Sequence, residues 1–282
     1  MVIQLFPVVH ARAASNEQNI SNGSPPAFRI TSSALIVWND YLELRFSRDY
    51  GTLTSMKHRR AGLELLSSLK EAGGLWDLGL LTRDFRHVSL SGPIRSKEFF
   101  EGISVNKENN NLVITLSWRK VIVEQLPEKE YPLRLVITLI VDDSPFTKWF
   151  AETENKGDLA LEFITFPFIQ GIGYLGETGE DDYLAMPIVE GRLYNNPVKN
   201  LIYGAGNYYP GSFYNMQFMA YYDEATKAGF YIATYDTEGN VKGFNWNNPR
   251  EDESWISINH YPEVVYGADY KSTYPTIVGV FN

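Results

Sequence analysis

Cysteine is absent from this chain of 282 residues. That absence excludes disulfides, thiolate metal sites and cysteine nucleophiles. Histidine is scarce: His10, His58, His87 and His260 are the only four, and none falls in HExxH or another zinc-ligand spacing. Basic charge is in deficit, with 25 Lys and Arg against 34 Asp and Glu, a net charge of −9 and a pI near 5.0. A nucleic-acid backbone needs a basic face, and an anionic membrane needs a polybasic anchor. Neither partner fits this chain, whereas a neutral ligand does. No apolar run reaches the roughly 18–20 residues of a membrane helix. GxSxG, Walker A and Rossmann glycine patterns are missing, so no cofactor is implied. Long amphipathic helices are missing too. The best helical candidate is the short run Leu63–Glu71, "LELLSSLKE".

What the chain has instead is a series of strand-like runs divided by turn residues. They include "ALIVW", "YLELRF", "LVITLSW", "LRLVITLIV", "LEFITFPFI", "FYIATY", "SWISI" and "TIVGVF". Apolar alternation is clear in Tyr41–Phe46 and Leu112–Trp118. Many short β-rich runs at near-regular spacing predict an all-β antiparallel sandwich, and the missing crossover helices argue against parallel α/β. Turn chemistry points to hairpins: "NKENNN" over 106–111, Gly51 after Asp49-Tyr50, and Gly239 in "YDTEGNV" at a left-handed loop position. A hydrophobic share of 44% supplies ample core. All-β chains of about 200–250 residues often form one domain. We expect residues 1–31 to be a flexible N-terminal segment and 32–282 to be the β-domain. The start, "MVIQLFPVVHARAASNEQ", loosely suggests a signal-peptide cleavage site but lacks the basic n-region, and the compartment stays open.

The stretch from Phe213 to Trp246 crowds aromatic and amide side chains between acidic turns. Strand alternation places Tyr214, Met216, Phe218, Ala220 and Tyr222 on one face, read as core. Phe213, Asn215, Gln217, Met219 and Tyr221 fall on the other. A pyranose presents apolar C–H faces that lie flat on Trp or Tyr rings, and planar amides take its hydroxyls. "GAGNYYPGSFYNMQF" and "GFNWNNPRED" supply both kinds of group. The carbohydrate-binding candidates are therefore Tyr208, Tyr209, Gln217, Trp246 and Asn247, expected on one glycan-facing or barrel-facing surface. Structural packing remains the competing reading for each ring, since Tyr and Trp are ordinary sheet residues. The acidic loop "GETGEDDYLAMP" with Glu177, Glu180, Asp181 and Asp182 admits a calcium or sugar site. It lacks EF-hand spacing, and a solvated turn outweighs that reading. His260 with Glu263 or Glu190 can be cast as the acid and base of a mutarotase, but structural packing outweighs that reading too. No catalytic residue and no metal site is assigned.

The segments "NDYLELRFSRDYGTLTSMKHRRAGLELL" (39–66), "GGLWDLGL" (73–80) and "FMAYYDEATKAGFYIATYDTEGNVKGF" (218–244) carry a family likeness. Over roughly Ser32 to the end, the chain resembles the galactose mutarotase-like β-supersandwich domains at the N-terminus of glycoside-hydrolase-like proteins. The resemblance implies a non-catalytic module that contributes to carbohydrate binding and packs on a C-terminal (β/α)-barrel catalytic domain beyond this chain. Two other readings stay open: a self-sufficient enzyme, either an aldose mutarotase or a polysaccharide lyase, and a purely structural module.

Overall fold

The computed structural model describes residues 24–67, 74–91, 99–122, 130–211, 213–250 and 252–282. Its strands form three sheets, and every strand pairing is antiparallel, as the short turn-bounded runs predict. The first sheet has five strands in chain order: β1 (Ala27–Ile30), β2 (Ala34–Trp38), β3 (Leu42–Ser47), β4 (Leu53–His58) and β5 (Leu63–Glu64). Gly51 takes φ +70°, the left-handed turn geometry that glycine permits at least cost. Two boundaries differ from expectation. Strand β1 pairs with β2, so the sheet begins before residue 32. The expected helix at Leu63 opens instead as strand β5 on the edge of β4, and its end past residue 67 lies outside the described residues.

The second sheet has six strands, in the order β15 (Ala205–Tyr209), β18 (Lys242–Arg250), β19 (Glu253–His260), β12 (Ala160–Ile172), β6 (Asp77–Leu81) and β7 (His87–Ser91). The third and largest is built on β8 (Phe100–Glu108), β9 (Asn111–Ile122), β10 (Glu130–Val141) and β11 (Phe146–Asn155). It continues through β21 (Thr276–Phe281), β17 (Ala228–Thr234), β16 (Phe218–Asp223), β13 (Asp182–Met186) and β14 (Arg192–Asn195), with β20 (Tyr270–Lys271) beside β11. One four-residue helix, α1 (Pro197–Asn200), follows β14. No helix among the described residues is long and apolar enough to cross a membrane.

Period-2 patterning builds the core. Along β10, Leu133, Leu135, Ile137, Leu139 and Val141 are buried on one face, and β9 answers with Leu112, Ile114, Leu116 and Trp118. Aromatic pairs join the layers. Trp149 of β11 lies 6.1 Å from Phe166 of β12 and 6.3 Å from Phe46 of β3. Tyr221 of β16 meets Trp246 of β18 edge-on at 5.1 Å. A cavity of about 20 Å³, lined by Met56, Tyr221, Trp246, Ile256 and Val278 among others, lies where the three sheets meet.

The alternation expected over 213–222 is out of phase. Residues 213–217 are bends rather than strand, with Tyr214 in a lone bridge to Ile188, and the strand proper starts at Phe218. Tyr214 is buried as expected, but Met216 is 57% exposed and Phe218 is half-buried against Tyr231. Met219 and Tyr221, placed on the surface by the sequence, are core. The bend resets the phase, and a one-residue slip exchanges the two faces of a strand.

Candidate functional site

The outer face of the six-stranded sheet carries a groove whose floor follows from cross-strand register. Tyr208 of β15 pairs with Gly243 of β18, Gly243 with Asn259 of β19, Asn259 with Thr165 of β12, and Thr165 with Asp77 of β6. Paired residues share a face, so one row crosses five strands. A second row joins Gly206, Asn245, Ser257 and Phe168. Asn247 and Trp255 pair next to it. Two adjoining hollows of about 350 and 530 Å³ lie over these rows and share Tyr203, Gly204, Asn245, Asn247 and Asn259.

Glycines let the groove form. A Cβ on Gly206 would stand 2.5 Å from Asn245 Oδ1 and 2.8 Å from the Phe244 carbonyl, so no side chain fits there. At Gly243 the nearest atoms, Asn245 Nδ2, Asn259 Cβ and the Tyr261 hydroxyl, are each 3.6 Å away. Its missing side chain leaves open floor. Rings line the walls: Tyr208 sits 5.6 Å from Tyr261, which also faces Phe163 at 6.2 Å, and Trp255 meets Phe168 at 5.3 Å. Tyr203 is almost wholly exposed at the rim.

The polar groups differ in freedom. Asn259 is held: its Oδ1 accepts from Thr165 Oγ1 at 3.0 Å and its Nδ2 donates to the Tyr261 hydroxyl at 3.3 Å. Asn247 is exposed, and its amide forms no hydrogen bond among the described residues. Asp77 is half-buried, and its Oδ1 accepts from the Leu78 N–H at 2.9 Å. Burial pushes its carboxyl up to about 6, and the Leu78 bond only partly offsets this. Burial also raises the Tyr261 hydroxyl. The groove therefore offers amide donors and acceptors, ring faces, and one carboxylate that titrates near neutrality.

The expected site residues divide. Tyr208 and Asn247 lie in the groove. Tyr209 does not line it: its ring lies over Lys242 Nζ at 5.4 Å. Gln217 is tied down elsewhere, accepting from Thr234 Oγ1 at 2.7 Å and donating to the Asp236 carbonyl at 2.8 Å. Trp246 is a correction. It has no exposed surface, packs on Tyr221 and donates to Asn248 Oδ1 at 2.7 Å, so its ring offers no face to a ligand. Asp77, Thr165, Asn245, Asn259 and Tyr261 were missed. Period-2 reading of "GFNWNN" and "ISINHY" brings out the last three, because their strand neighbours Trp246 and His260 point inward.

His260 is buried in a self-contained polar cluster. A carbonyl can only accept, so its Nε2–H donates to the Phe166 carbonyl at 2.7 Å, and Nδ1 accepts from the Tyr274 hydroxyl at 2.8 Å. Burial holds the imidazole down to about 4, hence neutral. Lys242 Nζ, also fully buried, stands 4.5 Å over the Tyr274 ring, 2.5 Å from Asp236 Oδ2 and 2.6 Å from the Asn240 carbonyl. The pairing of His260 with the exposed Glu263 or Glu190 is thus unavailable.

No family model matches the sequence. No curated protein matches it either. Solved structures do match in fold. Galactose 1-epimerase from Lactobacillus acidophilus NCFM superposes with a TM-score of 0.56 at 8% identity, covering 91% of this chain and 98% of that one. A galactose mutarotase related enzyme from Lactobacillus acidophilus gives 0.52 at 12% identity, covering 88% and 97%. Alpha-N-acetylgalactosaminidase NagBb from Bifidobacterium bifidum, in complex with GalNAc, gives 0.53 at 11% identity, covering 90% of this chain. This chain spans 35% of the length of NagBb. The chain has the galactose mutarotase-like fold, which occurs in free mutarotase-like proteins and as part of a larger glycoside hydrolase.

Proposed function

We propose that this chain is a carbohydrate-binding module of a glycoside-hydrolase-like protein. In this reading its groove takes a neutral sugar, and the rest of its surface packs on a catalytic domain beyond the chain. One observation carries the groove's role. Asn245, Asn247 and Asn259 rise from adjacent strands onto a glycine floor between Tyr208, Tyr261 and Trp255. Planar amides on neighbouring strands can each take a sugar hydroxyl, and the rings match C–H faces. Isothermal titration with galactose, N-acetylgalactosamine and their oligosaccharides tests it. We expect saturable binding that weakens about tenfold or more in Asn259→Ala, which breaks the Thr165–Tyr261 link. Binding unchanged in that variant, or absent for every sugar, overturns the reading.

A second reading, an enzyme acting on aldoses, rests on Asp77. Interconverting anomers moves a proton from the anomeric hydroxyl and delivers one to the ring oxygen. A carboxyl near 6 both accepts and donates at neutral pH. Polarimetry decides it: a rate increase with the wild type that vanishes in Asp77→Asn establishes catalysis, and no increase leaves the binding module.

A further inference from the structure

At the far end of the largest sheet, three oxygen-bearing side chains stand level on neighbouring strands. Asp182 opens β13 and pairs with Asp223, which closes β16. Asn196 follows β14, and its N–H donates to the Asp182 carbonyl at 2.8 Å. All three are buried, at 0%, 2% and 6% exposure. The turn from Gly176 to Gly179 presses on this row. A Cβ on Gly176 would come within 2.7 Å of Asp223 Oδ2, and one on Gly179 within 2.8 Å of Asn196 Oδ1.

The donors do not match these acceptors. Asp182 Oδ2 accepts from the Leu175 N–H at 3.0 Å and the Tyr221 hydroxyl at 2.6 Å. Asp223 Oδ1 accepts from the Thr226 N–H at 2.6 Å. Asp182 Oδ1 and Asn196 Oδ1 are buried with no hydrogen-bond partner among the described residues. No Lys, Arg or His pairs with either carboxylate among the described residues. Two buried carboxylates and an orphaned amide oxygen form a hard, oxygen-only donor set that lacks its positive charge. A water molecule satisfies acceptors but neutralises nothing.

We propose that Asp182, Asp223 and Asn196 bind a calcium ion that fastens the Gly176–Gly179 turn to the end of the sheet. No three carboxylate or imidazole groups converge among the described residues. The amide oxygen therefore serves as third protein ligand, with turn carbonyls and water filling the six to eight positions calcium takes. The site also braces the groove. Asn196 precedes α1, whose Pro197 and Val198 carbonyls accept from Asn248 Nδ2 at 2.9 and 2.7 Å, and α1 leads into the segment that carries Tyr203.

A proton is the rival occupant. The Tyr221 hydroxyl lies 3.0 Å from the Gly173 carbonyl and 2.6 Å from Asp182 Oδ2, yet it has one hydrogen to give. A protonated Asp182 would complete that pair without metal.

The test uses the full chain, stripped with EGTA and titrated with calcium chloride by calorimetry at pH 7.5. Magnesium chloride serves as the comparison probe. We expect one calcium per chain and a melting temperature that rises to saturation with calcium. Magnesium should bind at least tenfold more weakly, and Asn196→Ala should lose at least tenfold in calcium affinity while remaining folded. Asp182→Asn should abolish binding. Glu177→Gln, on the exposed turn, should leave it unchanged. No stoichiometric calcium binding by the folded wild type overturns the proposal in favour of the proton. Undiminished binding in Asn196→Ala overturns it in favour of a surface site.

Discussion

Strand β18 sets two kinds of chemistry back to back. Lys242, Phe244 and Trp246 point inward and are fully buried, while Gly243, Asn245 and Asn247 face the groove. Strand β19 repeats the division, with Ile256, Ile258 and His260 inside and Ser257 and Asn259 outside, and Tyr261 just past its end also lines the groove. The inner polar groups answer one another. Lys242 has Asp236 and the Asn240 carbonyl, and His260 has Tyr274 and the Phe166 carbonyl. The groove amide of Asn247 is left open toward solvent, that of Asn245 makes only a long bond to the Gly243 carbonyl at 3.4 Å, and Asp77 has no cation beside it among the described residues. A buried polar group satisfied within the fold serves stability, whereas a row of open ones on a sheet face is available for binding.

Substitution should separate the two faces, and the largest effect should come from Trp246. Trp246→Ala removes a buried ring packed between sheets and should cost about 3–5 kcal/mol in urea unfolding. A loss under about 1 kcal/mol would mean the inner face is not core. Next is Lys242→Met, which strands the Asp236 carboxylate. Burial already works against that charge, and the Lys242 bond and the Glu238 and Asn240 N–H groups outweigh it. Losing the lysine should cost about 3 kcal/mol, partly restored when Asp236→Asn is added.

A smaller effect, of opposite sign, belongs to the groove. The Asp77 carboxyl is raised from an ordinary 3.8 to about 6, so the folded state holds its proton longer than the unfolded one. Stability from this group therefore falls as pH rises from about 4 to about 6, and the penalty is complete above that. Asp77→Asn should be the more stable protein by about 1–3 kcal/mol at pH 7.5 and equal to the wild type near pH 4. His260 runs the other way. Its folded value near 4 lies below the ordinary 6.5, so its contribution grows with pH across that window. It is common to both proteins and cancels in the difference. The smallest effect should be Asn247→Ala, within about 0.5 kcal/mol by the same unfolding assay, with sugar affinity reduced. A large loss of stability there would erase the contrast between faces.

The fold was legible because its signals are local. "LRLVITLIV" and "LVITLSW" became β10 and β9, and "NKENNN" became the hairpin between β8 and β9, with Asn109 at φ +56°. What failed was phase. Counting alternation from Phe213 ran through a bend and exchanged the faces of β16, sending Met219 and Tyr221 to the surface. Trp246 failed for a related reason: its neighbours Asn245 and Asn247 looked like companions, yet alternation sets them on the opposite face. The groove itself was half legible. Tyr208 and Asn247 lie in the stretches that suggested it, on β15 and β18, but Asp77 and Thr165 join through β6 and β12, pairings no local pattern specifies.

Gly243 gives this surface an adjustable depth. A methyl group there would reach ordinary contact with three groove side chains at 3.6 Å, and no backbone atom stands closer than they do. Gly206, in the row beside it, has no such latitude, because any side chain would drive into the Phe244 carbonyl. A series from Gly243→Ala to Gly243→Ser to Gly243→Val would fill the groove from below, one increment at a time, over an unchanged sheet. Selectivity among sugars of different bulk is thereby open to inheritance or engineering at one codon, while the strands that carry it keep their sequence.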